Sequence, residues 1–434
     1  MSTEGNINIH IKGGRVVDPA NQVDKQQDVY IADGRIVRLG KAPAGFTAQQ
    51  VINATGQIVC PGLVDLSARM REPGQEHKAT IASESRAAAA SGITTLCIPP
   101  DTDPVIDTPA VVELIHQQAE HTGMARVVTL GALTRNLGGE RLSEMASLKQ
   151  AGCVGVSNAL KPLANTLVEQ RALAYAATFD LTVFLHASDP WLHDGGCAHE
   201  GAVASRLGLP GIPEAAETAA VARDLALVEH TGVRAHFCRL TTERAVRMVA
   251  RAQFDGLPVT VDVGIPYLHL TEMDIGEFNS LCHVEPPLRT QHDRAGLRTA
   301  LAKGIVSAIC SDHQPHEPDS KLAPFPSTQP GISGLETLLP LALRLTEEQG
   351  MSLINVIDRL TVGPAKILGL PCGTLSHGAE ADVCIFDPTA TWRMQESDIY
   401  SDGHNTPFLG WEFTGRVSHT LLAGKVVYGN GRFN

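Results

Sequence analysis

The chain has 434 residues and a formal net charge of −12, with 35 Lys and Arg against 47 Asp and Glu. Its hydrophobic content of 43 % is ordinary for a globular protein with a sizeable core. No run of Lys or Arg is dense enough to follow a phosphate backbone, so we expect no nucleic-acid partner.

The cysteines and the first residues favour a cytoplasmic location. The nine Cys occur singly, with no CxxC pair, and several lie in apolar runs such as 308–310, which is typical of reduced core residues. The N-terminal MSTEGNINIH lacks the basic and apolar regions of a signal peptide, and no stretch of about 18 uninterrupted apolar residues occurs. We therefore expect no membrane span and no membrane partner.

Short alternating strands fill the chain from Ile7 to about Cys60, with Asp33-Gly34 as a hairpin signal. The same pattern returns from Ala381 to the C-terminus. We predict that the two termini, residues 1–58 and 366–434, pair into one small β-sandwich.

Between these segments, short apolar runs alternate with longer helical patterns, which is the signature of βα units. Eight such runs can be counted, at 58–66, 93–99, 126–133, 153–157, 181–187, 233–240, 258–264 and 305–312. They predict a (β/α)₈ barrel over residues 59–365, with any site at the C-terminal strand ends. The alternative is an open doubly wound sheet, but no Gly-rich phosphate turn follows the first run.

The ends of the predicted strands are poor in metal ligands. A barrel that hydrolyses an amide ring with metals needs histidines and carboxylates from several strand ends, because the metal lowers the pKa of its bound water from about 16 to about 7. The residues found there are Asp65, Ser67 and Arg69 (first strand), Ser157, Asn158 and Ala159 (fourth), His186 (fifth), Cys238 and Arg239 (sixth), and Asp312, His313 and His316 (eighth).

Several motifs give the chain a family resemblance. REPG at 71–74, PPLR at 286–289, SDHQPH at 311–316 and GISGLET at 331–337 resemble the dihydroorotase branch of the amidohydrolases. SRLGLPGIPEAAE at 205–217 is also similar to that family, so the resemblance covers nearly the whole chain. It implies the same barrel and terminal β-sandwich.

The resemblance also implies that the zinc ligands have been lost. Ser67 and Arg69 occupy the positions of the family's Asp-x-His-x-His histidines, and Arg239 occupies that of the sixth-strand histidine. The bridging lysine or aspartate after the fourth strand corresponds to Asn158 or Ala159. Guanidinium groups are always charged and only donate, so they repel a dication. We expect no zinc and no other cofactor.

Only His186 and Asp312, the general base in the family, keep their family identity at the metal site. Without metal, the roughly 9-unit higher pKa of the nucleophilic water costs about 12 kcal/mol of activation. A base such as Asp312 recovers about 3 to 5 kcal/mol. We expect Asp312 to be vestigial, as a salt-bridge partner of Arg69 and Arg239, and His186 to be a hydrogen-bonded core histidine.

The substrate positions have also changed. Asp101 and Glu285 stand where the family has asparagines, whereas Arg71, which binds the substrate carboxylate in the family, and His316 remain. An anionic substrate such as carbamoyl aspartate would meet carboxylates, so we expect weak or no binding. This set is a vestigial substrate pocket.

Two further features lie in predicted loops. His193 and His199 follow His186 at spacings that fit no compact metal-ligand template, so we assign them loop roles. The Pro- and Ser-rich segment 319–331 is typical of a mobile lid or a partner contact.

The chain is similar to non-catalytic dihydroorotase-like chains that assemble with aspartate carbamoyltransferase. This similarity implies an inactive structural subunit, bound to the transcarbamoylase catalytic chain in a hetero-oligomer of pyrimidine biosynthesis. One alternative is an active cyclic-amide hydrolase with a relocated metal held by His186, Asp312, His313 and His316. Another is a sensor that binds a pyrimidine precursor through Arg71 without turnover.

Overall fold

A computed structural model describes residues 7–434 of the chain. The first six residues, which belong to the predicted sandwich and to the N-terminus predicted to lack a signal peptide, lie outside this range. Within residues 7–434, eight parallel strands pair in chain order into one sheet. The barrel strands are Leu63–Asp65, Ile93–Ile98, Arg126–Ala132, Gly155–Ser157, Thr182–Leu185, Ala235–Phe237, Val259–Gly264 and Ala308–Cys310. The predicted (β/α)₈ barrel is confirmed.

The barrel strands are covered on both faces, which is why their sequences are continuously apolar. Every residue of Ile93–Ile98 is buried, for example. The surrounding helices are Ile81–Ala90, Pro109–Thr122, Met145–Gln150, Thr166–Thr178, Glu214–Thr231, Glu243–Phe254 and Gln291–Ala302, followed by Leu335–Glu348, Leu353–Leu360 and Val362–Leu368. Shorter helices, Pro190–His193 and Ala202–Leu207, lie in the connection after the fifth strand.

The barrel is nearly closed, and its first and last strands meet just beyond their ends. The Arg69 backbone N–H donates to the His313 carbonyl oxygen at 2.9 Å, and the His313 N–H donates to the Ser67 carbonyl oxygen at 3.0 Å. Ala68 and His313 form a parallel bridge. This closure brings the segment after the first strand against the segment after the eighth.

The termini form two further sheets. One has the strands Arg35–Leu39, Val29–Ala32, Ile9–Lys12 and Gln50–Asn53, in that order. The other has Arg432–Phe433, Lys425–Gly429, Glu412–Leu422, Val383–Arg393, Ile58–Pro61, Arg15–Asp18 and Val23–Gln26. Strand Ile58–Pro61 pairs with Val383–Arg393 and with Arg15–Asp18, so it joins the two ends of the chain. The exact domain boundaries at 58/59 and 365/366 stay a prediction.

The cysteines lie where the sequence predicts. All nine are free thiols, and eight of them are buried, as expected of core residues. Across residues 7–434, the helices fall short of the length and apolar character that a membrane crossing requires.

Phe184 lies in the barrel interior, and its substitution tests how tightly this interior is packed. Its side chain is 1 % exposed and meets the His236 ring edge-on, with 5.2 Å between ring centroids. We expect Phe184→Ala to lower the free energy of unfolding by about 3 to 5 kcal/mol, because the interior cannot collapse around the cavity. Urea unfolding midpoints provide the measurement. The control, Phe254→Ala, changes a side chain that is 82 % exposed and should stay within about 0.5 kcal/mol. Equal losses in both variants would contradict this account.

Candidate functional site

The end of the first strand and the segment after it point three side chains into the barrel mouth. Alternation along extended backbone places Asp65, Ser67 and Arg69 on one side, with Ala68 on the other. Asp65 accepts hydrogen bonds from the Ser311 backbone N–H, at 2.8 Å, and from the Ser311 hydroxyl. Burial raises the pKa of Asp65 to about 6. This carboxyl group therefore ties the end of the first strand to the end of the eighth.

Asp312 lies between two guanidinium groups at the centre of the mouth. Its Oδ1 is 3.2 Å from Arg239 Nε and 3.8 Å from Arg69 Nη1. Arg239 Nη1 donates to the Ser67 hydroxyl at 3.1 Å. All four residues are buried. Burial raises the pKa of Asp312, although Arg239 and Arg69 act in the opposite direction.

Arg69 has a second carboxylate partner. Its Nε donates to Asp101 Oδ2 at 2.8 Å. Burial acts to raise the pKa of Asp101, but the Arg69 charge outweighs it and holds this pKa below the ordinary value. Asp101, a residue of the predicted substrate pocket, is thus already paired with a side chain of the protein itself.

The predicted hydrogen bond of His186 is not seen at Nδ1, which has no hydrogen-bond partner among residues 7–434. Burial lowers the pKa of His186 to about 3, and the charges of Arg239 and Arg69 contribute to this. Glu285 lies nearby, with its Oε1 3.4 Å from His193 Nε2. Burial acts to raise the pKa of Glu285, but the contact with His193 and the charge of Arg69 outweigh it and lower the pKa. His186 is therefore a neutral imidazole at the wall of the mouth.

The residue that follows the fourth strand, Asn158, is held by the loops after the third and fourth strands. Asn158 Oδ1 accepts from the Thr134 hydroxyl at 2.7 Å, and Asn158 Nδ2 donates to the Lys161 carbonyl oxygen at 2.8 Å. Ala159 has a left-handed backbone with φ of 52° and offers no ligand atom in its side chain. Neither residue replaces a bridging group.

Arg71 and His316 contact each other at the edge of the mouth. Arg71 Nη2 is 3.1 Å from His316 Nε2, and Arg71 Nε donates to the Pro315 carbonyl oxygen at 2.9 Å. Burial and the charge of Arg69 lower the pKa of Arg71 to about 10, and burial with the charge of Arg71 lowers that of His316 to about 2. A cavity lined by Arg69, Arg71 and Asp101 has a volume of only about 10 Å³, room for about one water molecule.

These residues do not fit a pair of zinc ions. Catalytic zinc needs about three protein ligands, whereas Ser67, Arg69 and Arg239 supply a hydroxyl group and two cations. The two histidines that follow the eighth strand are engaged by other groups of the protein. His313 Nε2 is 2.6 Å from the buried Glu84 carboxylate, and its Nδ1 accepts from the Gly334 N–H at 3.1 Å. His316 Nε2 lies 3.1 Å from Arg71 Nη2 and 3.0 Å from the Pro330 carbonyl oxygen.

One group with metal-ligating atoms was missed by the sequence reasoning. His236, Cys238 and Asp262 are buried, and one potential ligand atom of each lies within 4.8 Å of those of the other two. His236 Nε2 is 3.0 Å from Asp262 Oδ2, and its Nδ1 is 2.8 Å from the Thr260 hydroxyl. The other oxygen of Asp262 accepts the Arg239 backbone N–H. Asp262 thus supports Arg239. The sequence could have indicated this contact, because His236 and Asp262 lie on adjacent predicted strands.

The loop histidines have separate partners. His193 faces Glu285, as described above, and His199 Nδ1 is 3.0 Å from Arg289 Nη1. Burial lowers the pKa of His199 to about 4, and the charge of Arg289 contributes. The two histidines therefore connect the loop after the fifth strand to the segment 285–289.

Comparison with known proteins gives family and full-length matches. A family model described as dihydro-orotase-like matches residues 56–245, and one described as amidohydrolase family matches residues 282–428. A dihydroorotase-like protein of Pseudomonas aeruginosa is 52 % identical over 97 % of this chain and all of its own length. One of Pseudomonas putida is 50 % identical over 98 % of this chain and 100 % of its own. A dihydroorotase of Geobacter sp. strain M21 is 41 % identical, with 98 % and 100 % covered.

Solved structures share the fold at low sequence identity. An L-hydantoinase (dihydropyrimidinase) from Arthrobacter aurescens superposes with a TM-score of 0.88 at 24 % identity, covering 99 % of this chain and 97 % of the other. A dihydropyrimidinase from Brevibacillus agri gives a TM-score of 0.86 at 23 % identity, covering 98 % and 96 %. These matches concern the fold alone.

The Asp101–Arg69 pair predicts a pH-dependent stability. Because the pKa of Asp101 is lowered in the fold, its contribution is present above the unfolded pKa of about 3.9 and is lost as the pH falls through the folded pKa. We expect Asp101→Asn to cost about 2 kcal/mol at pH 7, because the buried Arg69 loses the charged acceptor of its Nε while Asp101 itself is only partly buried. The difference from the wild type should shrink by pH 3.

Urea unfolding midpoints at the two pH values measure this difference. Asp319→Asn is the matched control, because that side chain is exposed and its loss should change little at either pH. A difference between wild type and Asp101→Asn that is unchanged at pH 3 would show that the charge of Asp101 is not what stabilises the mouth.

Proposed function

We propose that this chain, which belongs to the dihydroorotase-like amidohydrolases, is a catalytically inactive member of that family and a structural subunit for aspartate carbamoyltransferase in pyrimidine biosynthesis. The observation that carries the proposal is the position of Asp312. Its Oδ1 lies 3.2 Å from Arg239 and 3.8 Å from Arg69, at the strand ends where the family holds its metal.

The charge of this cluster opposes metal-dependent hydrolysis. A dication near Asp312 would meet two guanidinium groups at close range, inside a buried site where screening by solvent is weak. The lost activation of water, about 12 kcal/mol, exceeds the 3 to 5 kcal/mol that a general base supplies. Asp312 is also engaged by its two arginines, so it is poorly placed to accept a proton.

The substrate positions support the same proposal. Asp101 is paired with Arg69, and Arg71 donates to the Pro315 carbonyl oxygen and contacts His316. Glu285 presents a carboxylate to any anion that enters. Binding carbamoyl aspartate would require Arg71 to leave its present contacts while two carboxylates repel the ligand.

The assembly role rests on the resemblance of the sequence to chains that accompany the transcarbamoylase. The structure is compatible with this role, because the barrel keeps its closed core while the mouth is filled with ion pairs. A rigid, well-packed domain without a working site is suited to hold another enzyme in a defined position.

An active hydrolase with a relocated metal is the alternative, and the relatives named dihydroorotase at about 41 % identity keep it open. It would need His186, Asp312, His313 and His316 to converge. His313 is instead held by Glu84, and His316 by Arg71. We therefore favour the inactive subunit.

Metal content and hydrolysis separate the two functions. We expect the purified wild type to carry no stoichiometric zinc by elemental analysis and not to hydrolyse dihydroorotate, because Arg69 and Arg239 exclude the metal. The double variant Arg69→His/Arg239→His should gain affinity for zinc, since two cations become ligands beside His186. Arg69→Met/Arg239→Met, which removes the charges without adding ligands, is the control. Stoichiometric zinc with turnover in the wild type would overturn the proposal.

Assembly is tested by co-expression with the aspartate carbamoyltransferase catalytic chain of the same organism. We expect both chains to sediment as one large complex. The catalytic chain expressed alone should differ from this complex in size, activity or stability, because a structural subunit adds contacts. If the transcarbamoylase assembles and works equally well alone, the structural role is wrong.

A further inference from the structure

Large exposed apolar side chains gather at one end of the barrel. Trp191 and Leu192 follow the fifth strand, Met273 and Phe278 follow the seventh, and Leu322 follows the eighth. Trp191 is 80 % exposed, Leu322 79 % and Met273 60 %. Because loops after parallel strands emerge at the same end, all five lie around the mouth. Apolar side chains concentrated in this way mark an interaction site more often than a free surface.

Polar contacts join the loops that carry these side chains. His193 and Glu285, 3.4 Å apart, connect the loop after the fifth strand to the loop after the seventh. The Ser280 hydroxyl donates to the Lys321 carbonyl oxygen at 2.8 Å, which connects the seventh loop to the eighth. We call the surface of segments 188–201, 269–285 and 313–330 the mouth face. It is one connected surface rather than three separate loop tips.

The exposed charges of the mouth face are acidic. Its three segments contain nine Asp and Glu, of which Asp194, Glu200, Glu277 and Asp319 are exposed, against a single Lys and no Arg. That lysine, Lys321, is buried, and its ammonium group donates to the Gln329 and His283 carbonyl oxygens, so it does not neutralise the surface. Two copies of this face would repel each other, whereas a basic surface would be attracted.

We propose that the mouth face is the docking surface for a protein partner that presents an apolar patch ringed by Lys and Arg. The identity of that partner, the transcarbamoylase catalytic chain, rests on the proposed function. Aromatic and Met side chains such as Trp191, Phe278 and Met273 are enriched at the centres of protein interfaces. The Pro- and Ser-rich segment 319–331 then serves as a partner contact through Leu322.

Docking at this surface is consistent with the state of the mouth beneath it. A working active site must stay open to substrate, so a partner seated over it would block turnover. Here Asp312, Arg69 and Asp101 already fill the mouth with ion pairs. Covering the mouth therefore costs no activity in an inactive chain.

The test compares two matched variants of the full chain, each co-expressed with the catalytic chain of aspartate carbamoyltransferase. Trp191→Ser/Leu322→Ser removes two exposed apolar side chains from the mouth face. Phe254→Ser is the control, because Phe254 is 82 % exposed but ends the helix before the seventh strand, at the opposite end of the barrel. Circular dichroism should show all variants folded. Sedimentation velocity then gives complex formation.

We expect the wild type and Phe254→Ser to form the complex, and the double variant to bind at least about tenfold more weakly. Raising the salt concentration should slow association, as for an acidic surface that meets a basic one. A double variant that assembles like the wild type would overturn the mouth face as the interface while leaving the structural role intact. A wild type that does not assemble would overturn both. Self-association lost in the double variant would instead identify a second copy as the occupant and contradict the proposal.

Discussion

The mouth of this barrel depends on the placement of one carboxylate between two guanidinium groups. Asp312 Oδ1 lies near both Arg239 and Arg69. Arg69 also forms an ion pair with Asp101. Burying a cation is costly unless a carboxylate accompanies it, and removing one partner leaves the other charge uncompensated. The cluster is therefore a set of mutually dependent charges that connects residues beyond the ends of the first, sixth and eighth strands.

The frame around the cluster has remained that of a metal-site barrel. Asp65 holds Ser311, His313 is bound to Glu84, and backbone hydrogen bonds between Arg69 and His313 close the sheet. Arg239 and Asp312 both have left-handed backbones, with φ of 51° and 48°. Non-glycine residues adopt this conformation at some energetic cost, and the surrounding hydrogen bonds hold them in it. At these strand ends the backbone conformation therefore fixes which side chains enter the mouth.

The inner and outer parts of the mouth carry different electrostatic character. Inside, burial lowers the pKa values of His186 and His316, the charges of neighbouring arginines add to this effect, and both rings are neutral. Outside, the loops form an acidic surface with exposed aromatic and aliphatic side chains. A buried region occupied by its own ion pairs beneath exposed apolar side chains fits the proposed binding role better than the capture of a small anionic substrate.

Much of the fold could be predicted from the sequence, because periodicity is a local property. Each of the eight apolar runs contains one barrel strand, although the first run, 58–66, also contains strand Ile58–Pro61 of the terminal sheet, and the order of the strands follows from their connection by helices. The residue types at the strand ends, Ser67, Arg69 and Arg239, also had to lie at the mouth once the barrel was accepted. The sequence alone therefore indicates that these three positions carry no histidine or carboxylate.

Only the tertiary structure decided which charges meet. Asp101 is 32 residues from Arg69, and Glu84 is 229 residues from His313, so no local pattern could pair them. The support of Arg239 by Asp262, and the gathering of Trp191, Phe278 and Leu322 on one surface, arise in the same way. The sequence by itself determined the barrel and the residue types at its strand ends, since these depend on local pattern and spacing. The ion pairs and the placement of the exposed apolar side chains depend on distances between segments far apart in the chain, which exist only after folding.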